Sequence, residues 1–477
     1  MLNFTAAELA GITSGELTAA PPGLAVKGFF VDSREAIAGG VFVAIKGERT
    51  DGHQFLSDIQ AANVGLAIID VHYSGVVPAE LPVLRVKDPV IALGQIAHWA
   101  RVTKLQAQVI AVTGSSGKTT TKDFIAGILS DAGPTIWAKG SFNTEVGLPL
   151  TILGADETTK FLVLEMGMRG IGHIELLSKI ALPNVGVVTN IGSAHMQLLG
   201  SRESIASAKG ELIRSLSPDS WAVLNEDDSL VRAMSSSSKA QVVTFGESAS
   251  AQFRAKNVQV DNNARCSYML EYLDRSYPVS LRIPGEHQVA NSLAALAAAT
   301  CAGVPIAQAV QAINEIAHIS KWRMEVVTTT DGVTVINDSY NANPESMRAA
   351  LKTLAAMSVG RRSIAVLGPM RELGDAEREE HDALGRMAVR LDISLLVCVG
   401  DTMKITHLGA SQEGSWGEES QWVPDIDAAI DFLRERIEPG DVVLVKASRS
   451  VGLERVADAL LAGKVSKVSE EKSEGAL

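Results

Sequence analysis

The chain has 477 residues, 46% of them hydrophobic and 21% charged, a balance that buries several cores and excludes disorder throughout. Lysine and arginine total 43 against 55 aspartate and glutamate, a net charge of −12, which argues against a nucleic-acid partner and leaves room for a local cationic pocket. The three cysteines, Cys266, Cys301 and Cys398, show no CxxC spacing, the start lacks a secretion signal, and no apolar run reaches the ~18 residues of a bilayer span, so a cytoplasmic protein without membrane insertion is expected.

Residues 1–87 mix short apolar runs (GFFVDSR, GVFVAIKGERTDGH, VGLAIID) with turns and predict short strands, with a helix at 53–62. DPVIALGQIAHWARV has apolar residues at helical spacing behind Pro89 and predicts a linker helix into a second unit, 88–317. From Gln108 the pattern is strand, glycine turn, helix, repeated. QVIAVTG is followed by a helix from Lys118 to about Leu129, then by KFLVLEMG, NVGVVTNIG and SWAVLN, which predicts a mainly parallel sheet. Residues 251–284 alternate without helical signal and predict an antiparallel insertion, closed by helices from about Glu286 and Pro305. The third unit, 318–465, repeats the alternation through GVTVINDSY, RRSIAVLGPM, ISLLVCVG and DVVLVKASR. The polar end, 466–477, is expected to be a disordered tail. The expected fold is α/β in three domains, with a central P-loop parallel-sheet domain and a C-terminal Rossmann-like domain.

AVTGSSGKTTTK is the strongest local signal. Gly114 and Gly117 let the backbone curl around Ser115 and Ser116 so that successive N–H groups face one anion, and the helix N-terminus at Lys118, Thr119 and Thr120 adds partial positive charge. Lys118 would reach terminal phosphates, and the Thr119 hydroxyl would hold a magnesium ion. Two residues rather than four separate the glycines, so a serine-glycine turn before a capped helix is the competing reading. Glu165 ends KFLVLEMG, where a carboxylate suits a metal ligand or is simply solvated. His195, in TNIGSAHMQLLG, and Lys209, in SIASAKGELIRSL, are by default a structural histidine and a surface lysine. NDSYNANP alone reads as an asparagine-rich turn after a strand.

Together GSSGKTT, FNTEVGLPLT, VLEMGMRGIGHIELL, TNIGSAHMQLLGS, AKGELI, GEHQVANSLAA, NDSYNANPESM, LGPMRELG and LVKASR resemble the Mur ligases of bacterial cell-wall synthesis. DSR and KGERTDGHQF extend the likeness into the first unit. NDSYNANPESM is most similar to the member that adds a dipeptide, and no Asp-Asn-Pro-Arg-type loop of the amino-acid-adding relative is found. The resemblance implies UDP-substrate-, ATP- and dipeptide-binding domains in that order. It implies that ATP phosphorylates the terminal carboxylate of a UDP-N-acetylmuramoyl-tripeptide. The amine of D-alanyl-D-alanine then attacks the acyl phosphate, and ADP and phosphate leave. ATP, Mg2+ as two ions, and a monomer are expected with it. The alternative is another ATP-dependent amide ligase, of the amino-acid-adding Mur or folylpolyglutamate synthase type.

The same resemblance assigns roles residue by residue. Lys118 and the amides from Ser116 to Thr119 grip the β- and γ-phosphates, and Thr119 with Glu165 binds the first magnesium ion. His195 joins a second metal site, beside Lys209 carrying a carbamate. His287 and Asn291 match adenine contacts, Arg323 swings onto the γ-phosphate, and Asn337 and Asp338 face ribose and phosphates. Tyr340, Asn341 and Asn343 border the nucleotide or the cleft between domains. Ser33 and Arg34 grip the uridine diphosphate, with Gly47, Asp51 and His53 shaping the neighbouring loop. Asn143 and Thr144 touch the UDP-sugar, and Lys446, Ser448 and Arg449 meet the dipeptide carboxylate.

Overall fold

The computed structural model describes residues 1–470 apart from 22, 48–49, 194–195 and 415–418, with side chains of the last helix described as far as residue 462. In the first unit a five-stranded sheet runs in the spatial order 16–18, 83–86, 66–70, 41–43, 29–30. Only the outer strand Glu16–Thr18 is antiparallel. The helix expected at 53–62 is split into a 3-10 turn, Gly52–Phe55, and an α-helix, Leu56–Ala61.

The linker helix spans Pro89–Thr103. Asp88 caps it, accepting the N–H groups of Val90 at 2.7 Å and Ile91 at 3.0 Å, and Pro89 at the first helical position needs no partner for its nitrogen. Leu93, Ile96, Ala97 and Ala100 on its inner face join an apolar core that runs from Phe4 in the first unit to Val109 and Leu164 in the second. That shared core seats the first unit on the second.

The central sheet has nine strands in the order 275–284, 265–272, 253–260, 241–246, 221–225, 185–188, 108–113, 161–165, 135–137. The strands from Phe253–Val260 onward in that order pair parallel, and the three from Phe253 to Pro284 form the expected antiparallel insertion. Gln108–Thr113 lies between Phe161–Glu165 and Val185–Val188, so the chain following all three strands converges at one sheet end. The chain turns to opposite sides of Gln108–Thr113 here, the switch point where α/β sheets bind ligands.

The third unit holds six strands in the order 325–328, 334–337, 442–446, 363–367, 395–399, 420–423, with only Glu325–Thr328 antiparallel. Glu325–Thr328 and Ser420–Val423, both edge strands, are additions to the four expected from sequence. The last helix runs Glu454–Glu470, so the expected tail is helical from 466 to 470, and 471–477 lie outside the described residues. Among the described residues no helix is long and apolar enough to cross a membrane, and the three cysteines are unpaired.

Candidate active site

The phosphate loop connects strand Gln108–Thr113 to helix Lys118–Ala132. Gly114 has φ 149° and Gly117 φ 76°. A Cβ at these positions would lie 1.9 Å from Thr189 Oγ1 and 2.3 Å from Asn291 Oδ1, so shape and backbone both demand glycine. The Ser115 N–H donates to the Asn190 carbonyl at 3.0 Å, and the Ser116 N–H to Asn190 Oδ1 at 3.0 Å. The Ser116 amide, expected on a phosphate, is thus spent on the neighbouring strand end. The first intrahelical bond is Thr121 N–H to Gly117 C=O, so the amides of Lys118, Thr119 and Thr120 are the helix-end donors.

Glu165 is 1% exposed, and its two oxygens accept different donors: Thr119 Oγ1 at 2.6 Å and Asn143 Nδ2 at 2.8 Å. Lys118 Nζ and Lys209 Nζ both donate to the Gly114 carbonyl, at 2.8 and 2.9 Å. Desolvation lowers the pKa of Lys118, opposed by Glu165, and Arg323 lowers it further. Lys209, 1% exposed, is held well below the usual lysine range by desolvation and by the Lys118 charge. A hydroxyl and a carboxylate converging at 2.6 Å are hard oxygen donors that fit Mg2+. Among the described residues no three His, Cys, Asp or Glu side chains converge as a metal cage. Such a site fits an ion that completes its shell with phosphate oxygens and water.

These groups line a cavity of about 490 Å3 between the second and third units. Arg323 enters from the junction between them, its guanidinium 4.3 Å from the Tyr340 ring centre and its Nε buried without a partner. Trp322 and Met324 on either side hold left-handed backbone, φ 59° and 50°, which aims Arg323 into the cleft at a cost in strain. Across the cleft the Ser141 and Tyr340 hydroxyls bond each other, and Asn343 Nδ2 reaches the Ser115 carbonyl at 3.5 Å. Burial pulls the His287 pKa down to about 4, with Asp338 opposing and Lys446 reinforcing, so the imidazole on this wall is neutral. Asn291 donates to Gln288 Oε1 at 2.8 Å and accepts the Thr121 hydroxyl at 3.4 Å.

This constellation can hold a nucleoside triphosphate against a second anion, and two family models align with the segments that build it. The model described as the Mur ligase middle domain matches residues 112–299, and that described as the Mur ligase glutamate ligase domain matches 322–449. The chain belongs to the Mur ligase family. It is similar to the UDP-N-acetylmuramoyl-tripeptide–D-alanyl-D-alanine ligase of Mycobacterium tuberculosis, 41% identical over 97% of this chain and 98% of that one. The Bacillus subtilis enzyme of the same name is 34% identical over 91% and 93%. Among solved structures, MurF of Acinetobacter baumannii superposes with a TM-score of 0.86 at 31% identity, covering 97% of this chain and 99% of that one. MurF of Thermotoga maritima in complex with ADP gives 0.77 at 28%, covering 93% and 99%.

Of the residues expected to act in this Mur ligase, the cavity brings together Ser115 to Thr120, Asn143, Thr144, Glu165, Lys209, His287, Asn291, Arg323, Asp338, Tyr340, Asn341, Asn343 and Lys446. His195 lies outside the described residues. Asn337 is not among the lining residues, and its Oδ1 accepts the Ser339 hydroxyl at 2.6 Å in a buried turn. Lys446 lines the cavity with its buried ammonium held by Asp338 Oδ2 at 2.6 Å and the Asn341 carbonyl at 2.9 Å. Ser448 Oγ accepts the Arg371 N–H at 3.0 Å, and Arg449 pairs with Glu454 at 2.6 Å over the Trp322 ring. Neither lines the cavity.

In the first unit Ser33 opens a 3-10 turn and Arg34 folds back onto Asp32, whose carboxyl this pairing lowers to about 2. The Gly47 N–H donates to the Thr50 carbonyl at 2.9 Å. His53 is structural: Nδ1 meets Asp51 at 2.6 Å, Nε2 accepts the Asp70 N–H at 3.1 Å, and the ring stacks on Tyr73. Asp51 is correspondingly committed to His53 rather than to a ligand. Thr189 and Asn190, which tie the phosphate loop down, escape a motif reading because VVTN looks like an ordinary strand end. Buried Lys122 escapes it too, although a charge on the inward face of a helix is a detectable anomaly.

Proposed function

We propose that this Mur ligase is an ATP-dependent, amide-forming ligase that joins D-alanyl-D-alanine to UDP-N-acetylmuramoyl-tripeptide in peptidoglycan precursor synthesis. The observation that carries the reading is the meeting of Lys118, Thr119, Glu165 and Lys209 with Arg323 in one cleft, in a chain similar over 97% of its length to ligases of that name. Carboxylates are poor electrophiles, so the tripeptide terminus must be activated by phosphoryl transfer. Two anions meeting in a dry cleft repel, and the cations lining it offset that repulsion. Lys118 and the helix-end amides hold the β- and γ-phosphates, Arg323 bears on the γ-phosphate, and neutral His287 with Asn291 borders the base. Asn143 orients Glu165. Asp338 sits at the ribose, with Tyr340, Asn341 and Asn343 at the seam that shuts out water.

Thr119 and Glu165 would hold magnesium, which when bound neutralises charge on the phosphates. A second ion would fall to His195 and to Lys209 as its carbamate. Lys209 is 1% exposed beside Glu165, where a carbamate would turn a buried cation into an oxygen donor. 13C NMR of the protein in 13C-bicarbonate should show a carbamate carbon that Lys209→Arg lacks, and its absence from the native chain would remove Lys209 from the metal set. Ser33 and Arg34 are assigned to the uridine diphosphate, and Thr144 to its sugar. The boundaries taken are 1–87, 88–317 and 318–465 for the UDP-substrate, ATP and dipeptide domains of a cytoplasmic monomer.

The deciding assay supplies ATP, Mg2+ and UDP-N-acetylmuramoyl-tripeptide with either D-alanyl-D-alanine or single amino acids. Phosphate release with a UDP-linked pentapeptide is expected only with the dipeptide. Product with a single amino acid would move the chain to the amino-acid-adding branch.

A further inference from the structure

We propose that the neighbouring pair Lys122 and Asp123 is a positioning device. From one helix it sets both the loop that carries Asn143 and the junction that carries Arg323. The proposal deepens the ligase reading and rests on it. Lys122 is fully buried and is not among the residues that line the cleft, so its place is behind the site rather than in it. A buried ammonium is costly unless each of its three protons finds an acceptor. Here they find the Ala138 carbonyl at 2.7 Å, the Gly140 carbonyl at 3.0 Å and Asp123 Oδ1 at 2.9 Å. Asp123 uses its other oxygen to accept the Ser320 N–H at 2.9 Å.

Both ties lead quickly to the reacting groups. Beyond Gly140 the chain passes Ser141 and arrives at Asn143, whose carboxamide holds Glu165 and whose carbonyl accepts the Gly167 N–H at 2.9 Å. Beyond Ser320 it reaches Arg323, between the left-handed residues Trp322 and Met324. Strained backbone persists only where its surroundings hold it. The two arms then meet, since Ser141 bonds the Tyr340 hydroxyl and Arg323 lies over the Tyr340 ring. Lys118 and Thr119 sit on the same helix, so one rigid element registers the phosphate grip, the orienter of Glu165 and the arginine of the third unit.

Purified wild type, Lys122→Met, Asp123→Asn and Asp123→Ala are compared in ligase turnover, fluorescent-ADP binding and thermal unfolding. Lys122→Met is expected to lower kcat about 30-fold while ADP affinity moves less than about 3-fold, the pattern of a lost transition-state arrangement. In an Asn143→Ala background the same change should add less than about 3-fold, because residues acting through one another are not additive. Asp123→Ala, which removes both acceptors, should lose about 10-fold and Asp123→Asn, which keeps one of the two, a smaller but measurable amount, and Asp123→Ala should add little to Arg323→Ala. If Lys122→Met does not fold, the Asp123 series with Arg323→Ala decides alone. Additive losses, or a kcat loss matched by an equal loss of ADP affinity, overturn the proposal while the ligase reading stands. A wild-type chain that forms no pentapeptide overturns the ligase reading, and the proposal with it.

Discussion

At Glu165 one oxygen takes the Thr119 hydroxyl and the other the Asn143 amide, while Lys118 and Lys209 share the Gly114 carbonyl nearby. Charge in this cleft is therefore preorganised, and removing one cation should be felt in the rate rather than in folding. Lys118→Ala is expected to lower kcat by about 10²–10³-fold. Lys118 contributes no apolar packing to a core, so the thermal midpoint should stay close to wild type; unchanged turnover would take the loop out of the reaction. The glycine-serine loop and Glu165 were legible in the sequence because each chemistry has a fixed place at a strand end. The partners of Lys446 and His53 were not legible for a physical reason: only packing reveals that Asp338 holds the Lys446 ammonium and that Asp51 and the Asp70 N–H hold both nitrogens of His53.

Elements with strong periodicity and caps were equally legible. The linker helix begins at Pro89 as Asp88 and the proline indicate. Its cap holds two N–H groups far from the cleft, so Asp88→Ala should cost ~1 kcal/mol in urea unfolding and leave KM for every substrate unchanged. A shift in KM would mean that the linker also sets the angle between the first and second units. The edge strand Glu325–Thr328 was illegible because an edge needs little burial, and all four of its residues are exposed; Ser420–Val423 buries its two end residues but is only four residues long and carries no apolar run. The terminal helix outran its expectation because KVSKVSE is polar and reads as a tail, whereas extending a helix that is already nucleated adds one backbone hydrogen bond per residue fixed.

At the scale of the whole molecule, burial of neutral histidines sets the acid limb of stability. His381 is fully buried, its Nδ1–H donating to the Glu377 carbonyl at 2.7 Å and its Nε2 accepting the Met370 N–H at 3.1 Å. A second proton has no place there, and desolvation lowers the pKa from 6.5 against the opposing Glu377 carbonyl. His287 is lowered from 6.5 to about 4. Below pH 6.5 the unfolded chain therefore binds protons that the folded chain refuses, and stability falls as pH drops toward 4. The cleft lysines, lowered from 10.5, act with the same sign from pH 10.5 downward, whereas the carboxyls of Asp32 and Asp156, lowered from 3.8 to about 2, withdraw stability only in stronger acid. Glu247 and Glu380, raised from 4.5, act with the opposite sign near the bottom of the window. His381→Gln isolates one contribution. Its stability in urea should be lower than wild type at pH 7.5, because it forfeits two buried hydrogen bonds. Its further loss between pH 6.5 and 5 should be smaller by up to ~1.4 kcal/mol per pH unit. Parallel curves for the two proteins over that interval would show that His381 takes up its proton as readily in the folded chain as in the unfolded one.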